Sequence, residues 1–127
     1  MPEYDAESFD PPAPVATVTL RHPATGALVS NVPMLLDTGA DVSLLPREFV
    51  ERLGIEPVED IAYEIQGFDG ELKSAQMVRL ELLFLKRVFS GQFLLIDQPV
   101  GILGRNILNI IAILFDGPHS EWSESKP

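Results

Sequence analysis

Two aspartates four positions apart, Asp37 and Asp41, are the residues of this chain best suited to chemistry. Thr38, Gly39 and Ala40 separate them, and Met34, Leu35 and Leu36 lead in. This order suits a carboxylate on a sharp turn at the end of a buried strand. Gly39 lets the backbone turn where a side chain would clash. The Thr38 hydroxyl can lock the turn by bonding backbone groups. An ionised carboxylate accepts a proton and a protonated one donates it, so two sharing one proton act as base and acid together. The chain holds one copy of this run and no internal repeat. The chain therefore does not itself repeat this carboxylate. An Asx turn that merely closes a strand would use the same residue types.

Other chemistries find little support. There are no cysteines, which removes disulfides and thiolate metal sites and fits a cytoplasmic location. His22 and His119 lie far apart without ligand spacing and read as turn or tail residues. No phosphate-binding glycine loop and no serine or cysteine nucleophile constellation is present. Neither a metal nor a cofactor is expected.

The elements that must position Asp37 read as short strands. Val15 to Leu20 alternates as a strand, and Pro23 to Gly26 is a turn. Ala27 to Val29 resumes the strand, and Met34 to Leu36 is an apolar strand ending at Asp37. Pro46 to Leu53 predicts a short helix, with Gly54 just past its end. Ile61, Tyr63 and Ile65 run toward the turn signal Gly67-Phe68-Asp69-Gly70, and Val78, Leu80, Leu82 and Phe84 share one face of the return strand. A strand over Val88 to Leu95 ends at Asp97-Gln98-Pro99. Ile102-Leu103 is a short strand, Gly104 to Asn109 a short helix, and Ile111 to Phe115 a last strand. Short strands with frequent turns predict an all-β barrel or sandwich.

The 127 residues suffice for one domain with a core, and a hydrophobic content of 46% is that of a globular protein. Residues 1–14 read as a flexible acidic and proline-rich arm, 15–117 as the domain, and 118–127 as a polar tail that leaves Trp122 solvated. A sharper reading of the arm is a segment removed by self-cleavage. The N-terminus lacks the apolar stretch of a signal peptide. The longest apolar run, Ile110 to Phe115, falls far short of the ~20 residues a membrane span needs. A formal charge of −10 and a pI of 4.4 argue against nucleic acid or an anionic membrane as partner.

Far downstream of Asp37 lies Gly101-Ile102-Leu103-Gly104-Arg105-Asn106-Ile107-Leu108. Taken with Asp37-Thr38-Gly39-Ala40-Asp41 and the glycine-bearing hairpin between them, the chain resembles the retropepsins. These are the single-lobed aspartic proteases of retroviruses and their cellular and bacterial relatives. The resemblance covers about residues 15 to 116, and the helix after Pro46 brings the chain nearer the cellular and bacterial relatives. It implies a closed acid-protease barrel with a flap hairpin and one or two short helices. It implies a homodimer that hydrolyses extended peptides or unfolded proteins. Asp37 would be the catalytic residue. Thr38 would brace the two active-site loops, and Gly39 would offer its carbonyl to the substrate. Ala40, Asp41, Val42, Val100 and Ile102 match substrate-binding positions. Ile65, Gly67 and Phe68 would supply the flap over Tyr63 to Ala75. Asp41 and Arg105 would form an ion pair, for which a planar guanidinium is suited.

The chain departs from the retroviral pattern in its long acidic arm and in a hairpin tip carrying Gln66 and Asp69. Three functions follow from these readings: an aspartic endopeptidase, a non-catalytic dimeric peptide-binding module on the same fold, and an unrelated β-barrel binding protein. The intact Asp37-Thr38-Gly39 run favours the first over the second. The Gly104-Arg105-Asn106 run disfavours the third.

Overall fold

The computed structural model describes residues 2–57, 59–64 and 72–125. In chain order the elements are strands β1 (Val15–Arg21), β2 (Leu28–Leu36) and β3 (Leu44–Pro46), helix α1 (Arg47–Arg52), and strands β4 (Glu59–Glu64), β5 (Leu72–Phe84), β6 (Arg87–Ile96) and β7 (Gly101–Leu103). Helix α2 (Arg105–Leu108) and strands β8 (Ile113–Asp116) and β9 (Glu121–Glu124) follow. The main sheet runs β1-β2-β7-β3-β6-β5-β4, and β1 also pairs with β5. Six strands thus close into a barrel, and β4 lies outside it on β5. The expected closed barrel with a flap-type hairpin and short helices is the fold observed.

Alternation places the core. Along β5, Val78, Leu80, Leu82 and Phe84 are all buried, and they meet Ala16, Val18 and Leu20 of β1 and Val32, Met34 and Leu36 of β2. Leu20, Met34, Leu45, Leu82 and Leu103 are fully buried. Each such side chain contributes roughly 1.5–3 kcal/mol relative to exposure. At the seam where β1 meets β5, Arg21 faces Glu81. Its Nε donates to Glu81 Oε1 at 2.8 Å, and that bond holds the Glu81 carboxyl below the usual carboxylate range.

Gly54 takes a φ of +72° just past the end of α1, as the helix signals predict, whereas Pro46 is extended and caps the helix from β3 instead of opening it as its first residue. Among the described residues no helix is long and apolar enough to cross a membrane.

Three further features differ from the sequence reading. β2 is one strand through Leu28–Leu36, because a bulge at Ser30 and Asn31, with Asn31 left-handed (φ 60°), shifts the register against β1 without ending the strand. β3 has only three residues, too few to show a period. The third is the C-terminal segment, which forms β9, paired antiparallel with β8. Trp122 is not solvated: it is 3% exposed and packs with Phe84, ring centroids 6.1 Å apart. The expectation failed because Glu121, Ser123 and Glu124 mask a period-2 pattern with a single inward residue. The arm joins this hairpin. Tyr4 N–H donates to Ser120 O at 2.7 Å and Trp122 N–H to Pro2 O at 3.0 Å.

Candidate active site

Asp37 follows the last residue of β2, which runs parallel to β7 with Leu35 opposite Ile102 and Leu36 opposite Leu103. Its N–H donates to Leu103 O at 3.0 Å, so the ladder continues one bond into the loop. The carboxylate is half-buried at the barrel end. Its Oδ1 accepts Gly39 N–H at 2.9 Å, and its backbone carbonyl accepts Ala40 N–H at 3.2 Å. This turn fixes the carboxylate orientation. A Cβ on Gly39 would lie 3.1 Å from that oxygen, so the glycine leaves the carboxylate its place.

The loop is latched to the start of α2. Arg105 N–H donates to Ala40 O at 2.8 Å, and Arg105 Nη1 donates to Thr38 O at 2.8 Å. Ser43, buried to 1% exposure, accepts Gly104 N–H at 3.0 Å through Oγ and donates to Asn106 Oδ1 at 2.8 Å. The two motifs, far apart in sequence, thus meet as one unit. Sequence reasoning missed Ser43. The signal was a lone hydroxyl just ahead of the apolar Leu44-Leu45, where burial demands a partner.

Gly104 is required here by close approach. A Cβ would run into the backbone carbonyl of Val42 and lie 3.0 Å from Ala40 O. Gly104→Ala should therefore destabilise the fold by about 1–3 kcal/mol, as overpacking does. It should also lower kcat/KM by displacing the Asp37 loop. Urea midpoints and peptide turnover measured on the same preparations check this, and an unchanged midpoint would remove Gly104 from the latch.

The single chain does not form the expected Asp41–Arg105 ion pair. The ion pairs among the described residues are Arg21–Glu81, Arg47–Asp97, Arg87–Glu124 and His119–Asp116. Asp41 and Arg105 are both exposed. Water competes strongly for such a pair, and the guanidinium binds the Thr38 carbonyl instead.

Thr38 and Gly39 are exposed, Ala40 is half-buried and Val42 is 37% exposed. Val100 and Ile102, both half-buried, line a cavity of about 310 Å³ together with Leu35. Leu35 lies two positions before Asp37 and so on the same face of the chain. β4 and β5 form the hairpin expected to carry the flap, with Glu64 opposite Leu72 as its last described pair. Ile65, Gly67 and Phe68 lie outside the described residues. Among the described residues no cluster of three or more metal-ligating side chains occurs.

Residues 24–107 match the family model described as "Aspartyl protease". The fold is similar to that of EIAV protease solved in complex with the inhibitor HBY-793. That similarity carries 26% sequence identity and a TM-score of 0.55, over 77% of this chain and 86% of that one. A comparison with the curated proteins found no match.

Proposed function

This chain belongs to the aspartyl protease family, and we propose that it is a homodimeric endopeptidase whose two Asp37 carboxylates meet at the dimer axis. The observation that carries this reading is the Asp37 turn. The carboxylate is aimed by Gly39 N–H and latched through Ala40 to Arg105, yet the chain holds only one copy of the run. Two copies related by a two-fold axis supply the pair, and the interface is then self-complementary.

Like charges brought within about 3 Å do not both ionise, so the pair shares one proton at the working pH. The ionised member takes a proton from a water held between the carboxylates. The water oxygen bonds to the scissile carbonyl carbon, and the protonated member gives its proton to the carbonyl oxygen. As the gem-diol collapses, the carboxylate that is now ionised takes one hydroxyl proton, the C–N bond breaks, and the carboxyl that is now protonated gives its proton to the leaving nitrogen. Only the singly protonated pair performs this cycle, so the rate is bell-shaped in pH, with its maximum on the acid side of neutral. The substrate is an extended peptide or unfolded protein held between the β4–β5 hairpin and the barrel, with apolar residues beside the scissile bond.

The test combines sedimentation with turnover across a dilution series. Below the dissociation constant, the rate should rise as the square of chain concentration. Full specific activity in a species that stays monomeric throughout would sink the proposal.

A further inference from the structure

The arm ahead of β1 is built, not trailing. Asp5 and Ala13 exchange two backbone hydrogen bonds, at 2.8 and 3.1 Å, which close residues 5–13 into a loop. Inside the loop, Asp5 Oδ1 accepts the N–H groups of Glu7 at 2.9 Å and Ser8 at 3.0 Å, an Asx turn that orients its tip. Both ends are anchored. Tyr4 N–H bonds Ser120 O at 2.7 Å, and Pro14 O accepts Leu36 N–H at 3.0 Å, one residue before Asp37.

At the tip sits Phe9, half-buried within an otherwise acidic and exposed stretch. Ser8 and Phe9 line the cavity of about 310 Å³ together with Leu35, Val100 and Ile102. Leu35 and Ile102 are paired across β2 and β7, and strand alternation places Leu35 on the face of Asp37. The cavity therefore lies beside the strand that leads into Asp37. Its size is at the lower end of ligand pockets, roughly 300–1,000 Å³, and its lining is mostly apolar, with Ser8 and Gln98 as the polar members. The family match begins at residue 24, so Phe9 lies outside the segment this chain shares with the family model.

We propose that the loop of residues 5–13 completes a side-chain pocket of the active site, and that Phe9 is the wall that sets which substrate residue fits. This rests on the reading of Asp37 as catalytic. The pocket accepts a large apolar side chain next to the scissile bond, leucine or phenylalanine in size. Because Phe9 bounds the cavity without filling it, the arm acts as a wall and not as a plug.

The experiment compares the full-length wild type with Phe9→Ala and Phe9→Trp on a set of peptides varied at the residues flanking the scissile bond. Phe9→Ala widens the pocket and should move the ratio of kcat/KM values toward aromatic over small aliphatic side chains by about tenfold. Hydrophobic pockets discriminate at that scale per methylene or more. Phe9→Trp narrows the pocket and should move the ratio the other way, which loss of stability alone does not do. Unchanged ratios in both variants, with cleavage retained, would overturn the proposal. So would an equal rise in rate for every peptide in Phe9→Ala, the signature of a plug. Binding of the same peptides to Asp37→Asn chains with and without each Phe9 substitution, read by fluorescence anisotropy, separates the two readings. Binding ranked by Phe9, where the wild type cleaves nothing, would leave the pocket standing and remove the protease. Binding without that ranking, or none at all, would remove the pocket.

Discussion

Asp37→Asn should reduce peptide hydrolysis by about 10⁴-fold or more while leaving the barrel folded. Base or acid catalysis by one positioned side chain is worth typically 10²–10⁴ in rate. In a symmetric dimer one substitution removes both carboxylates, so the water loses its base and the carbonyl oxygen its acid together. The corresponding barrier increase is about 5.5 kcal/mol, at 1.36 kcal/mol per tenfold. The fold should survive because the amide oxygen of asparagine can still accept Gly39 N–H, the bond that shapes the turn. Asp37 N–H to Leu103 O is a backbone bond and is unaffected. Dimer affinity should rise in the variant, since the axis no longer has to take up a proton to avoid two like charges. Turnover, circular dichroism and sedimentation on one preparation separate these effects. Near wild-type turnover by Asp37→Asn would show that Asp37 is not catalytic. A fully inactive variant that still binds peptides with unchanged ranking would be the result that best fits the mechanism.

What could be read from the residues alone divides by the range of the interaction. The Asp37 turn is local: its glycine, its hydroxyl residue and its apolar lead-in all lie within a few positions. Gly104-Arg105-Asn106 is local in the same sense. Helix α1 was legible because proline and glycine punctuate its two ends. The pairing of β2 with β7 and the closure of β1 on β5 are non-local; a closed barrel entered only through the family resemblance, and these pairings were not read at all. Ser43 escaped because its role depends on Gly104 and Asn106, more than sixty positions away. The Asp41–Arg105 pair was carried over from the family, whereas in this chain Arg105 finds Thr38 O at shorter reach. Phe9 and Trp122 escaped for one shared reason. Each is a single large apolar residue inside a polar segment, so neither produces a period, and each meets elements distant in sequence.

Trp122→Ala should cost about 3–5 kcal/mol, the usual range for removing a buried tryptophan side chain. Against a typical domain stability of 5–15 kcal/mol, that is a large fraction, equivalent to a fall in Tm of roughly 10–20 °C. The indole is 3% exposed, its ring meets Phe84, and its Nε1–H donates to Val15 O at 3.4 Å. That bond is long, so Trp122→Phe, which keeps the apolar contact and drops the donor, should cost only about 1 kcal/mol. Trp122 is the only tryptophan of the chain, so its fluorescence reports directly. Emission should be blue-shifted and resist quenching by iodide in the folded protein. Substitution of a solvated tail residue would instead change stability by about 0.5 kcal/mol or less, and that result would contradict the packing described. The consequence reaches the active site. Trp122 N–H bonds Pro2 O and the neighbouring Ser120 O holds Tyr4, so β9 is the anchor of the arm whose loop carries Phe9. Loosening that anchor frees the Phe9 wall without touching Asp37. At temperatures where Trp122→Ala remains folded, its cleavage preference should move in the direction of Phe9→Ala, and amide exchange at Tyr4 should quicken. A destabilised variant with wild-type preference and a protected Tyr4 amide would show that the arm is held by contacts other than those through β9.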